Sequence, residues 1–196
     1  IAGAIAEKLG LELQIDDMDF DAALLAAQTG KSDMVMAGVT VTEDRQTVMD
    51  FSDSYAAGIQ VVIVPEDSDI ASIDDMTGKM IGVQRGTTGD QYCSASVEDG
   101  GFGEENVTRY DNGLTAVQAL NNGQVDCVVI DNAPAQEFVA ANPGLKILDT
   151  EYANEEYAIG VAKGNTQLLD AINTAIAELK ADGTIQSILD KYISAE

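Results

Sequence analysis

Histidine is absent from this chain of 196 residues, and basic residues are scarce. Without histidine the chain lacks a Ser-His-Asp triad, a histidine general base and any histidine-ligated metal site. Ten basic residues stand against thirty-four acidic ones, which gives a formal net charge of −24 at pH 7. Such a surface repels phosphate backbones and anionic lipid, which excludes nucleic-acid and peripheral membrane binding. We therefore expect no metal ion, no cofactor and no nucleic-acid partner.

Cysteine, proline and long apolar runs are also rare. Cys93 and Cys127 are too few for a zinc cluster or a disulfide-dense scaffold. Their spacing leaves open whether they form one bridge or are two small buried apolar side chains. Three prolines argue against long linkers, and no run approaches the ~20 apolar residues of a membrane span.

The chain opens on a helical stripe formed by Ile1, Ile5 and Leu9. No Ser, Thr, Asp or Asn precedes Ile1 to cap that helix, and the first residues lack the pattern of a signal peptide. We therefore expect that a segment upstream of Ile1 has been removed or lost.

Helical and strand-like segments alternate along the chain, which predicts an α/β protein with largely parallel sheets. Helices are predicted around 20–27, 114–120, 168–179 and 185–192. The predicted strands are 11–15, 34–37, 60–64, 80–83, 107–110, 125–130, 145–148 and 158–162.

One helix–strand unit occurs twice, at residues 22–40 and 114–132. In each copy a glycine ends the helix, an aspartate follows three residues later, and the apolar strand leads to a polar residue, Thr40 or Asp131. Such units are common in α/β proteins. Two copies nevertheless favour two sheets whose strand ends face a common crevice.

Three positions are able to recognise a charged ligand. Arg45 follows a buried strand and could grip a carboxylate with two hydrogen bonds, or it could form a structural ion pair with a nearby aspartate. The turn at 86–89 matches neither a Walker A loop nor a dinucleotide-binding fingerprint. It could be an anion-binding site at the start of a helix, with Thr88 adding a hydroxyl donor, or a plain capped helix start. Asp131 could bind an ammonium group or be solvated. Together they describe a clamp for a zwitterion, of which an α-amino acid is the simplest example.

Several motifs, in order along nearly the whole chain, resemble the bacterial extracellular solute-binding proteins of family 3, the polar amino-acid receptors of ABC importers. They are residues 18–21, 28–33, 37–45, 50–55, 82–89, 125–131 and 179–184. The resemblance implies a two-lobed, periplasmic-binding-protein-like (type II) α/β fold that closes on its ligand by hinge motion.

The same resemblance implies the lobe boundaries. Residues 1–54 and 158–196 would form the first lobe and residues 60–152 the second, with hinge crossings at 55–59 and 153–157. Members of the family carry a strand and a loop before the first helix, so the N-terminal strand of the first lobe is expected to be missing here.

The resemblance also implies a ligand site. Arg45 would bind the α-carboxylate, Asp131 would bind the α-ammonium group, and Phe20, which is otherwise a core residue, would pack on the ligand side chain. The full expected set is Arg45, Asp131, Thr88, Thr40, Gly38, Phe20, Gln84 and Ala37.

The implied function is that of a non-enzymatic, monomeric, extracytoplasmic receptor, periplasmic or lipid-anchored. It would deliver a polar L-α-amino acid to a membrane permease. A dehydratase on the same scaffold and the sensor domain of a larger receptor are the alternatives; Ser194-Ala195-Glu196 leads into no membrane span, which favours a free-standing receptor. Arg85 fits an acidic ligand or a solvent-facing position, so the sequence favours no particular amino acid.

Overall fold

Helices and strands alternate through residues 1–193, the part of the chain that the computed structural model describes; the chain end at 194–196, considered above, lies outside it. The helices are α1 (Ala2–Leu9), α2 (Phe20–Gln28), α3 (Glu43–Val48), α4 (Thr88–Ser94), α5 (Gly113–Asn121), α6 (Asn132–Ala141), α7 (Thr166–Ala181) and α8 (Thr184–Tyr192). The strands are β1 (Met34–Thr40), β2 (Met49–Phe51), β3 (Ala56–Pro65), β4 (Ile81–Gln84), β5 (Val107–Tyr110), β6 (Cys127–Asp131), β7 (Leu145–Ile147) and β8 (Ala153–Ala162). The expected mixed α/β class is confirmed.

The chain divides into two compact units. The first contains residues 1–18, residues 22–57 and the chain from Glu156 onward. The second contains residues 19–21 and 58–155. The long strands β3 and β8 each contribute residues to both units.

In the first unit, β8 is the central strand. It pairs antiparallel with β1, where Met34 lies opposite Val161, and with β2, where Phe51 lies opposite Gly160. Helices α1, α7 and α8 bury one apolar face each in a shared core, to which α1 contributes the buried side chain of Ile5. Burial of these side chains, rather than capping, stabilises α1, because Ile1 provides no side-chain cap for it.

In the second unit, the strands lie in the order β7-β3-β6-β4-β5. Both faces of this sheet are covered. Val128 and Ile130 of β6 pack in a core with α5 and α6, whereas Cys127 and Val129 pack in a core with Cys93 of α4. Because successive side chains of a strand point to opposite faces, burial of both faces explains the uninterrupted apolar runs.

Two sequence predictions about the strands are wrong. The sheets are not largely parallel. Strands β1 and β2 pair antiparallel with β8, and β7 pairs antiparallel with β3, whereas β4 pairs parallel with β5 and β6. Residues 11–15 form no strand, and Leu11 and Ile15 are 62% and 79% exposed. A strand is stable only beside a hydrogen-bonded neighbour, and no other segment within residues 1–193 pairs with this one.

Candidate functional site

Arg45 lies in α3, just beyond the end of β1. Thr42 caps this helix by accepting a hydrogen bond from the Arg45 backbone N–H at 3.2 Å. The side chain is buried, with 7% exposed, and its Nη1 donates to the Thr40 carbonyl at 2.6 Å. This bond fixes the guanidinium beside the last residue of β1.

The strand preceding Arg45 is irregular where ligand contacts are expected. The pairing of β1 with β8 shifts register between Val35 and Val39, which lifts Ala37 and Gly38 out of the regular ladder. Gly38 has a φ of +63°, and its N–H donates to the Tyr55 hydroxyl at 3.3 Å. A Cβ at this position would contact the Tyr157 ring at 3.6 Å.

In the second unit, three expected site residues lie at one edge of the sheet. Gln84 ends β4 and Asp131 ends β6, and these two strands are parallel neighbours. Thr88, the buried first residue of α4, follows β4 after a short turn. The structure therefore brings Gln84, Thr88 and Asp131 together at the carboxyl ends of parallel strands, where α/β sheets place ligands.

Asp131 is half-buried rather than solvated, and its Oδ1 caps α6 by accepting from the Ala133 N–H at 3.1 Å. Burial raises the pKa of this carboxyl from 3.8 to about 6. The Ala133 hydrogen bond lowers that pKa, and the negative charge of Glu155 raises it further. Above about pH 6 this carboxyl carries its charge, and a cationic ligand group would pair with it and favour the charged form further.

Two buried polar residues beside Asp131 were missed by the sequence analysis. Gln60 lies directly opposite Asp131 in the β3–β6 ladder, and its Nε2 donates to Glu155 Oε2 at 3.1 Å. The signal was present, since Gln60 is a single polar residue at the start of an apolar strand.

Phe20 begins α2 and belongs to the second unit together with its neighbours Asp19 and Asp21. A Cβ added at Gly86 would lie 3.2 Å from Asp21 Cβ, so this short segment adjoins the turn before α4. The second unit thus holds Phe20, Gln84, Thr88 and Asp131, and the first holds Ala37, Gly38, Thr40 and Arg45.

The sequence profile of the bacterial extracellular solute-binding proteins, family 3, matches residues 1–195. The chain belongs to this family. It is similar to the L-cystine-binding protein TcyJ of Escherichia coli (strain K12), with 30% identity over 198 residues that cover all of this chain and 73% of the relative. It is also similar to the L-arginine-binding protein of Pseudomonas aeruginosa, with 29% identity over 99% of this chain and 77% of the relative.

Solved structures agree with this membership. An ancestral arginine-binding protein bound to arginine superposes on this family 3 protein with a TM-score of 0.89 at 43% identity, covering 98% of this chain and 85% of that one. The arginine-, lysine-, histidine-binding protein ArtJ from Geobacillus stearothermophilus superposes with a TM-score of 0.89 at 29% identity, and the match covers 100% of this chain and 84% of that one. These neighbours confirm the expected two-lobed class of fold.

The remaining reactive side chains of this solute-binding protein are buried in its second unit. Cys93 and Cys127 are both free and buried, and burial raises the pKa of the Cys93 thiol to about 12. Both thiols therefore stay protonated and serve as apolar core residues. Across residues 1–193, no helix has the length and apolar character needed to cross a membrane, and no acidic or cysteine side chains cluster as metal ligands.

Proposed function

We propose that this family 3 protein captures a free L-α-amino acid outside the cytoplasm, in the periplasm or as a lipid-anchored protein, and delivers it to the membrane permease of an ABC importer. It acts as a monomer and catalyses no reaction. The main support for this proposal is the buried guanidinium of Arg45, which is held by the Thr40 carbonyl, in a chain that matches the family profile from residue 1 to residue 195. The relatives described above bind cystine or arginine, and none of them is an enzyme by name.

Each end of the ligand has a receptor group of opposite charge. We assign the α-carboxylate to Arg45, with the Thr40 hydroxyl, Gly38, Ala37 and the Thr88 region nearby. The α-ammonium group pairs with Asp131, whose half-buried carboxylate is costly to keep charged without a partner and is stabilised by a bound cation. Phe20 and Gln84 contact the ligand side chain.

Arginine is the first candidate among amino acids, and glutamine is the second. The ancestral arginine-binding protein has been solved with arginine and also with glutamine, at 43% and 42% identity to this chain. Both ligands share the α-amino-acid group that Arg45 and Asp131 would bind, and they differ in the charge of the side chain.

Calorimetric titration tests this assignment. We expect L-arginine or L-glutamine to bind the wild-type protein, and Arg45→Ala to weaken binding by about 2–5 kcal/mol because it leaves the ligand carboxylate unpaired. Arg45→Lys keeps the charge and loses the forked geometry, so it should recover only part of the affinity.

Thermal unfolding of both variants serves as the control, since Arg45 also holds the Thr40 carbonyl. Absence of binding to any common amino acid at about millimolar concentration, or unchanged binding in a folded Arg45→Ala protein, would reject the proposal.

A further inference from the structure

The turn between β4 and α4 is held by one buried carboxylate. Asp90 is 5% exposed, and its Oδ2 accepts a hydrogen bond from the Gly86 N–H at 2.9 Å. The Asp90 N–H in turn donates to Thr87 Oγ1 at 3.2 Å, and the Thr87 hydroxyl donates to the Gln84 carbonyl at 2.8 Å. These hydrogen bonds link Asp90 to Gly86 and Thr87, and Thr87 to Gln84.

Arg109 of β5 holds that carboxylate in place from the neighbouring strand. Its Nε donates to Asp90 Oδ1 at 2.7 Å and to Oδ2 at 2.8 Å. Its two terminal nitrogens donate to Glu104, Nη2 at 2.9 Å to Oε2 and Nη1 to Oε1. The guanidinium is therefore fixed at both ends, which the single ammonium of a lysine would not reproduce.

An ion pair in this position is not explained by stability alone. Burying the Asp90 carboxylate against a half-buried guanidinium carries a desolvation penalty, and apolar residues of similar volume often give an equally stable fold. The pair does, however, set the geometry of the backbone that leads into Thr88, which is one of the proposed ligand contacts.

We propose that Arg109 and Asp90 are positioning residues for ligand binding, which act by fixing the Gly86–Thr88 backbone without touching the ligand. This inference rests on the proposed function. It assigns a role in affinity to two residues outside the proposed contact set, and it predicts equal effects on arginine and glutamine, because Thr88 is assigned to the carboxylate end that both share.

Four variants test the inference by calorimetry with L-arginine and L-glutamine. Asp90→Ala removes the acceptor for Gly86, and Asp90→Asn keeps an oxygen there. Arg109→Met removes the guanidinium and keeps the packing of its stem. Lys79→Met is the matched control, because Lys79 forms an ion pair with Asp69 at 2.8 Å elsewhere in the same unit.

We expect Asp90→Ala and Arg109→Met to raise the Kd of both ligands about tenfold or more, which is the effect of losing a hydrogen bond to a charged group. Asp90→Asn should restore the Kd to within about threefold of wild type. Lys79→Met should bind like wild type. Amide exchange of Gly86, measured by NMR without ligand, should speed up in Asp90→Ala and not in Asp90→Asn.

A purely structural role predicts a different pattern, in which the variants lose thermal stability and the folded fraction binds with the wild-type Kd. That result overturns the inference, and so does an Asp90→Asn protein that binds the ligands as weakly as Asp90→Ala does. If Arg109→Met fails to fold, the two Asp90 variants and the Gly86 exchange decide alone. A wild-type protein that binds none of the common amino acids overturns the proposed function instead, and this outcome is visible before any variant is made.

Discussion

The charge state of Asp131 depends on its surroundings, because burial raises the pKa of its carboxyl. Burial disfavours the charged form and raises the pKa from 3.8 to about 6 in the folded protein. At pH values between 3.8 and about 6, this carboxyl is mostly protonated in the folded state and mostly ionised in the unfolded state. The contribution of Asp131 to the free energy of unfolding therefore falls as pH rises from about 4 to about 6, and the penalty persists at higher pH.

Asp131→Asn should remove this penalty. We expect the variant to be more stable than wild type at neutral pH by on the order of 1–3 kcal/mol, since one pKa unit corresponds to about 1.4 kcal/mol. The amide oxygen still accepts the Ala133 N–H that caps α6. Urea unfolding across this pH range is the measurement. A variant less stable than wild type at neutral pH would show that the carboxylate stabilises the fold.

At the scale of the element, β8 leaves no room for a side chain at Gly160. A Cβ there would lie 2.7 Å from Met49 Cε on β2 and 3.0 Å from Val35 Cγ1 on β1, and both of these strands pair with β8. We expect Gly160→Ala to destabilise the protein by about 1–3 kcal/mol through overpacking.

Gly3→Ala in α1 is the matched control, because nothing lies within 4 Å of a Cβ at Gly3 and alanine favours helix. Thermal unfolding of both variants distinguishes crowding from a general effect of adding a methyl group. Equal midpoints for the two variants would contradict the crowding argument.

The repeated helix–strand unit was predicted correctly at its turns. Gly30 and Gly123 end α2 and α5 with φ of +72° and +66°, the left-handed conformation that glycine adopts without steric strain. Within α5, hydrophobicity alone would favour burial of Leu114, yet Leu114 is 53% exposed while Ala116 and Ala119 are buried. Alanine fits where a helix lies close to a sheet, and residue hydrophobicity alone does not report that distance.

At the scale of the whole molecule, charge is the dominant feature. Thirty-four acidic residues outnumber the ten basic ones, so most carboxylates repel one another whatever ion pairs form. Salt shortens the range of this repulsion from about 30 Å at 0.01 M to about 3 Å at 1 M. We expect the free energy of unfolding to rise steadily with NaCl over this interval.

Urea unfolding at several NaCl concentrations measures this effect. Near the pI of about 4.1 the net charge vanishes, and the salt dependence should shrink accordingly. Stability that falls with NaCl at neutral pH would mean that exposed ion pairs, such as Lys8–Glu178 at 3.1 Å, outweigh the repulsion.

The sequence by itself determined the mixed α/β class, the family and the edge-of-sheet position of Asp131, because periodicity and turn residues are local properties of the chain. Only the tertiary structure decided which strands run antiparallel, that residues 11–15 form no strand, and that Gln60 and Glu155 lie beside Asp131. Ladder pairing and burial depend on partners distant in the chain, and Gln60 and Glu155 are 95 positions apart. The lobe boundaries, the hinge motion and the eight ligand contacts stay predictions.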